Sequence, residues 1–279
     1  MKLRPKLEGV YWWMRTRIVP SLKGSQDVYE YTLKDLVKPN LSWLDIGCGH
    51  QILAEWREDA EKALIPTGGI IVGLDYDLPS LMSHRSISLR VRGDIVKLPF
   101  RDSSFDLVTA NMVVEHLENP VDQFSEVARI LKPGGTFLFH TPNAYGYFSV
   151  LRRLFPNSFA RKLASLLDGR DLADVFPVQY KANTTARIED LAQKARLEVC
   201  KTKMVVSEAV TQVVPPLAFL ELLCIRALMT EPLRPFRTNI IAVLRKKSSD
   251  GIQAPTPISP VVIPNGHFEK HHETLSRGN

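Results

Sequence analysis

Between residues 42 and 142 the apolar positions follow two alternating rhythms. Short continuous runs occur at Ser42-Trp-Leu-Asp-Ile, Ile70-Ile-Val-Gly-Leu-Asp, Leu89-Arg-Val-Arg, Phe105-Asp-Leu-Val-Thr-Ala-Asn and Thr136-Phe-Leu-Phe-His. Amphipathic stretches separate them, over 52–64 up to Pro66 and over Val121–Leu131 up to Lys132-Pro-Gly-Gly. Continuous apolar strands alternating with helices predict a mostly parallel sheet covered on both faces, an α/β fold of Rossmann-like, doubly wound type. Further on, the pattern predicts a helix at 185–196, a strand near 198–206, an apolar helix and a last strand from Asn239 to Leu244.

The flanks break this rhythm. Residues 1–40 read as a helical lead-in that carries Tyr11, Trp12 and Trp13 beside Arg15 and Arg17, closed by Pro39-Asn40. Residues 144–183 read as an insertion in which Arg152, Arg153, Arg161, Lys162, Arg170 and Lys181 lie among aromatics. The domain proper is expected over 41–246, and the composition of 247–279 predicts a disordered tail. The apolar stretch Val213–Met229 is interrupted by Pro215, Pro216, Glu221 and Arg226. It falls short of the ~18 uncharged residues of a membrane span and is expected to be a buried or surface-lying helix.

Composition narrows the classes. In 279 residues, 44% hydrophobic and 24% charged fit a globular chain and argue against collagen, wholesale disorder or a disulfide scaffold. Cys48, Cys200 and Cys224 are odd in number and far apart, with no metal-ligand spacing, which predicts a reducing, cytoplasmic location and no metal site. A basic start with no apolar run behind it does not predict a secretory signal. The net charge of +6 suits an anionic ligand, a membrane surface or nucleic acid. No RNA-binding module accompanies it, so nucleic acid is the least favoured of these.

The sharpest chemical signal is Leu44-Asp45-Ile46-Gly47-Cys48-Gly49-His50, placed between a strand and a helix. Glycines there permit a tight turn and a close backbone approach to a ligand. A second strand ends at Asp75 and a third at Gly93-Asp94-Ile95, which sets further acids on the same carboxyl edge of the sheet, where open α/β sheets bind ligands. A dinucleotide fingerprint would need a third glycine where Ile52 stands. An acid at the strand end, Asp45, would repel a pyrophosphate and favours a cationic ligand.

On these residues the chain resembles the class I S-adenosylmethionine-dependent methyltransferases, in the large group related to quinone-biosynthesis enzymes. Leu44-Asp-Ile-Gly-Cys-Gly, Gly73-Leu-Asp, Gly93-Asp-Ile-Val-Lys-Leu-Pro-Phe, Phe105-Asp-Leu-Val-Thr-Ala, Glu115-His116-Leu and Leu131-Lys-Pro-Gly-Gly-Thr occur in family order over residues 41–142. The resemblance implies a seven-stranded sheet whose last strand is antiparallel, and S-adenosylmethionine as cofactor. It implies that Asp45, Gly47, Cys48 and Gly49 meet the methionine part, that Asp75 holds the ribose hydroxyls, and that Tyr76 packs near the adenine. Asp94 and Ile95 are implied at the adenine amino group and Asn111 near the methionyl end. His50 stands where many relatives have another glycine.

The acceptor is less legible. Methyl transfer from a sulfonium needs alignment and exclusion of water, and an oxygen or carbon acceptor also needs a base. His116, after the fourth strand, is the candidate base; the competing reading is that it closes a turn. His140, Asn143 and Tyr145, after the fifth strand, are candidate substrate residues; the alternatives are that His140 is simply hydrogen-bonded in the sheet and that Tyr145 packs the insertion. The expected acceptor is a small molecule or a glycan- or lipid-linked intermediate, methylated at oxygen before carbon or nitrogen, with peripheral membrane contact through the basic insertion and the apolar 217–229. The competing function is a non-catalytic scaffold or cofactor-sensing protein on the same fold.

Overall fold

The inner strands of the sheet alternate their side chains between two apolar layers. In β1 (Ser42–Ile46), Leu44 and Ile46 face one layer and Trp43 the other. In β7 (Asn239–Lys246), Ile240, Ala242 and Leu244 oppose Ile241 and Val243 in the same way. Burial on both faces is why these strands read as unbroken apolar runs. The remaining strands are β2 (Ile70–Asp75), β3 (Leu89–Arg92), β4 (Phe105–Asn111), β5 (Leu131–Pro142) and β6 (Leu197–Val205).

This computed structural model describes residues 3–67, 69–154 and 177–248. Arg161, Lys162, Arg170 and the tail from 249, with the readings made of them, lie outside the described residues. The seven strands form one sheet in the order β3-β2-β1-β4-β5-β7-β6. β1 to β5 pair in parallel, while β7 is antiparallel to both β5 and β6. The fold class and the reversed last strand are as the sequence led one to expect. Strand order turns outward in both directions from β1 and β4, which makes their carboxyl ends the switch point of the sheet.

One layer is built by α5 (Pro120–Ile130) and α7 (Thr185–Lys194), with α6 (Tyr147–Leu154) between them in the chain. Phe124, Val127, Ile188 and Leu191 pack on Phe137 and Phe139 of β5. The other is built by α2 (Ser25–Leu36), α3 (Glu58–Leu64) and the short α4 (Leu78–Met82), with Tyr29, Leu33, Leu64 and Leu81 around Trp43. Half of the N-terminal lead-in therefore belongs to the sheet core, because α2 presents Tyr29 and Leu33 four apart on one face. The other half, α1 (Leu3–Ile18), packs with α8 (Pro215–Leu228) in a separate cluster of Tyr11, Met14, Leu222 and Ile225. Arg15 fixes α1 to Glu208 at 2.7 Å, and Tyr11 Oη donates to the same carboxylate at 2.7 Å.

The helix expected over 52–64 is shorter than the pattern suggests. Residues 50–54 are a loop, Glu55–Arg57 a single 3₁₀ turn, and α3 begins only at Glu58. Fully buried Glu61 accepts from the backbone N–H groups of Ile52 and Leu53 at 3.1 and 2.9 Å, so those amides are satisfied without a helix. Glu61 also takes Arg85 at 3.1 Å and the Ser86 hydroxyl. A buried carboxylate that has lost its water is retained only with such partners.

Candidate functional site

At the end of β1 the chain turns on two left-handed glycines, Gly47 (φ +64°) and Gly49 (φ +52°). Any side chain at Gly47 would place its Cβ 2.4 Å from Val113 Cγ2, so glycine is required there both by conformation and by space. Gly49 is different: a Cβ would meet nothing within 4 Å and would project into open space. The turn is tied to β2. The N–H of Gly47 donates to Leu74 O at 2.7 Å, and that of Gly49 donates to Asp75 Oδ2 at 2.8 Å. Asp75 Oδ1 takes the N–H of Asp77 at 2.9 Å. Each carboxylate oxygen keeps a second lone pair for a ligand.

Beside this turn lies a cleft of about 220 Å³ lined by Asp45, Gly47, Cys48, Gly49, residues 50–54, Gln26, Asn111 and Met112. Its described lining contains no lysine or arginine. Asp45 is buried, takes the hydroxyl hydrogen of Thr109, and is pushed up to about 8 chiefly by burial, with Glu61 and Asp75 adding repulsion. Thr109 in turn accepts from Trp43 Nε1 at 2.7 Å. Gln51 Oε1 is buried in the cleft wall without a hydrogen-bond partner among the described residues. An acid, an unpaired carbonyl oxygen and open space over Gly49 make this a cradle for a cationic group.

Asn111 sits at the end of a fixed chain of hydrogen bonds. Asn239 Nδ2 donates to His140 Nε2 at 3.1 Å, which leaves the ring proton on Nδ1. Nδ1–H donates to Asn111 Oδ1 at 2.9 Å, and Asn111 Nδ2 donates to Gln26 Oε1 at 3.1 Å. His140 is fully buried, stacks on Tyr29 and is pushed down to about 3 by desolvation. Met112 follows in the left-handed region (φ +60°), its N–H held by His140 O at 2.8 Å. A non-glycine residue in that conformation is uncommon and here lines the cleft.

The structure thus brings Asp45, Gly47, Cys48, Gly49 and Asn111 together around one cleft and sets Asp75 against it. Tyr76, Asp94 and Ile95 lie outside its lining, farther along the same strand ends. Tyr76 is half exposed, and Asp94 Oδ1 caps the N–H of Val96 at 2.9 Å.

The substrate candidates are corrected. His140 is buried with both ring nitrogens engaged, and it reaches the cleft through its ring on Asn111 and its carbonyl on Met112. Asn143 is fully buried, donates to the carbonyls of Pro235 and Arg237, and accepts from the N–H of Tyr145. Its polarity serves a backbone crossing between β5 and the approach to β7. Tyr145 is exposed and outside the cleft. His116 also lies outside the cleft lining. Its Nδ1 meets Pro177 O at 2.7 Å, closing the turn after β4 onto residues 177–180, and burial lowers its pKa.

Five contributors were not found from sequence: Gln26, Gln51, Thr109, Met112 and Glu61. Gln26, Gln51 and Met112 line the cleft, while Thr109 and Glu61 hold its walls. Nothing local marks Gln26, and Glu61 is one of three acids in α3, Glu-Asp-Ala-Glu-Lys-Ala-Leu.

Residues 44–139 match the methyltransferase domain family. Over 103 residues the chain is 36% identical to a protein of Mycolicibacterium smegmatis named a probable S-adenosylmethionine-dependent methyltransferase, covering 36% of this chain and 37% of that one. Over 104 residues it is 34% identical to a demethylmenaquinone methyltransferase of Lactiplantibacillus plantarum, covering 34% and 42%. The chain thus spans about two-fifths of the length of these relatives. Among solved structures, a provisionally assigned sarcosine dimethylglycine methyltransferase of Galdieria sulphuraria aligns at TM-score 0.50 and 16% identity, covering 79% of this chain and 83% of that one. The (4+2)-cyclase SpnF aligns at TM-score 0.50 and 14% identity, covering 80% and 81%. At such identities the likeness speaks for the fold alone, and a cyclase among the neighbours shows that the fold hosts more than one chemistry. The matched segment, residues 44–139, coincides with the run from β1 to β5 that carries the glycine turn, and over that segment the chain is similar to the methyltransferase domain family.

Proposed function

We propose that this chain is an S-adenosylmethionine-dependent methyltransferase acting on a small-molecule or a glycan- or lipid-linked acceptor. The observation that carries the reading is the Gly49–Asp75 bond, which closes the glycine turn against the second strand and sets two acids at one strand edge. Asp45, Gly47, Cys48, Gly49 and Asn111, with Gln51, would hold the methionyl end. Asp75 would hold the ribose, with Tyr76, Asp94 and Ile95 along the adenine. The cofactor supplies a methyl carbon already activated on a sulfonium.

What remains for the protein is orientation and exclusion of water, and good alignment is worth ~7–11 kcal/mol. Asn111 and Gln26 are pre-oriented by the buried His140, so they hold their geometry without reorganising. The relatives named for demethylmenaquinone support a small-molecule acceptor, and oxygen is the first acceptor atom to test. A reducing, cytoplasmic setting agrees with cysteines that are all free. Among the described residues no helix is long and apolar enough to cross a membrane. The net charge and the apolar α8 favour peripheral contact with an anionic membrane surface over nucleic acid.

The test is calorimetric titration of S-adenosylhomocysteine into the wild type and Asp75→Ala, followed by transfer of labelled methyl to small-molecule and lipid extracts. Binding that the substitution abolishes, with label recovered in an extracted product, supports the reading. A folded wild type that binds no S-adenosylhomocysteine overturns it and leaves the scaffold alternative.

A further inference from the structure

The outward faces of α1 and α8 are apolar in a way that core packing does not explain. The two helices pack on one another through Tyr11, Met14, Leu222 and Ile225. Outward, α1 turns Trp12 (50% exposed) and Trp13 (58%), and α8 turns Leu217, Leu220 and Leu223 at 43–61% exposure. A helix that is apolar all round belongs inside a core or against lipid. At 14 residues, α8 is too short to span a bilayer.

The charges on these faces have one sign. Arg17 lies over the Trp13 ring at 4.1 Å, and Arg226 is exposed on α8 with one hydrogen bond to Ile18 O at 3.3 Å. The carboxylates of the two helices are withdrawn. Glu221 accepts from Tyr147 Oη at 2.6 Å and from the N–H of Val210 and Thr211, and Glu8 is half-buried and engaged. Beyond the end of α8, Glu231 pairs with Arg237 at 2.9 Å.

We propose that the α1/α8 face is the surface by which the protein lies on a bilayer rich in anionic lipid. Indole rings favour the headgroup level, and their neighbouring guanidinium groups meet lipid phosphates. The leucines enter the acyl boundary, where a half-exposed apolar side chain gains from leaving water. A second copy fits this face poorly, since its Arg17 and Arg226 would meet arginines, while Glu231 beyond the end of α8, though exposed, is already paired with Arg237. The inference deepens the reading of peripheral membrane contact and rests on it, and it does not depend on methyl transfer.

The experiment is flotation of the full chain with phosphatidylcholine vesicles, neutral or carrying about 30% phosphatidylglycerol, at low and high salt. S-adenosylhomocysteine calorimetry on the same samples reports the cleft separately. The wild type is expected to float with anionic vesicles and to be released by salt. Trp13→Ala/Leu220→Gln is expected to weaken partition about tenfold or more while cofactor-product affinity is unchanged, because both side chains are exposed and distant in sequence from the cleft. Flotation that this variant leaves intact overturns the assignment of the face but keeps membrane contact. A protein that binds S-adenosylhomocysteine and never floats overturns both. A vesicle-independent dimer in sedimentation, lost in the double variant, would make the face a protein interface and overturn the proposal.

Discussion

Gly49 and Asp75, twenty-six residues apart, share a single hydrogen bond of 2.8 Å that joins the end of β1 to the end of β2. The bond serves the fold and the cleft at once. It satisfies an amide in a turn that cannot be helical, and it orients a carboxylate that keeps further lone pairs for a ligand.

Asp75→Ala removes both bonds and leaves the Gly49 and Asp77 amides without their acceptor. Charge-assisted bonds contribute ~1.5–3 kcal/mol each, so S-adenosylhomocysteine affinity should fall by about a hundredfold or more. Calorimetry checks this, with circular dichroism confirming the fold.

The two glycines should answer differently to alanine. Gly47→Ala meets Val113 Cγ2 at 2.4 Å and should cost stability by ~2–4 kcal/mol, partly restored by Val113→Ala. Gly49→Ala meets no atom and should cost only ~1 kcal/mol, yet weaken binding, because its methyl occupies the space of the cradle. Denaturant unfolding and ligand titration, run in parallel, separate the two effects.

Asp45, raised to about 8 by burial, is protonated at neutral pH in the ligand-free protein. A cation in the cleft favours its carboxylate, so binding should release a proton and tighten as pH rises toward 8. Stability runs the other way. The folded state holds this proton more tightly than the unfolded chain, so its contribution to stability without ligand should decline as pH rises from about 4 to about 8, and the decline should be visible above about pH 6.5, where His140 no longer offsets it. Asp45→Asn should remove both trends and weaken binding, as read from titrations in buffers of different ionisation enthalpy.

His140 has the opposite sign of linkage. Its folded pKa of about 3 lies below its unfolded value, so its contribution is full above about pH 6.5 and is lost as pH falls through that interval. Between about pH 4 and 6.5 this trend offsets that of Asp45, so stability should fall on the acid side only below about pH 4, and His140→Asn should lessen that fall. The His140 ring should show no titration by NMR while the protein stays folded. The same variant should raise the ligand dissociation constant through Asn111.

His116→Ala should leave kcat within about tenfold of wild type, since the ring is engaged by Pro177 and lies outside the cleft lining. A general base contributes about 10²–10⁴-fold, and a loss of that size would return His116 to the reacting atoms.

What was legible in the sequence is what depends on local periodicity and backbone chemistry. Two-sided burial writes β1, β2, β4, β5 and β7 as apolar runs, and a left-handed turn demands Gly47 and Gly49, so the fold class and the glycine turn could be read directly. The helix expected at 52 was misjudged because Glu61, nine residues on, accepts from the Ile52 and Leu53 amides and holds that segment as a loop. His140 and Asn143 were placed on the right edge of the sheet but with the wrong outlook. Strand position fixes which end a residue occupies, while the direction of its side chain depends on Asn239, Pro235 and Arg237, far along the chain.

The sequence by itself determined the sheet, its crossover helices and the turn, because these follow from the spacing of apolar residues and from the steric freedom of glycine. Only the tertiary structure decided which polar groups meet. Gln26 reaches Asn111 across 85 residues, and Tyr11 reaches Glu208 across 197. Such pairs leave no periodic trace, because a hydrogen bond depends on atoms within about 3 Å and not on sequence separation.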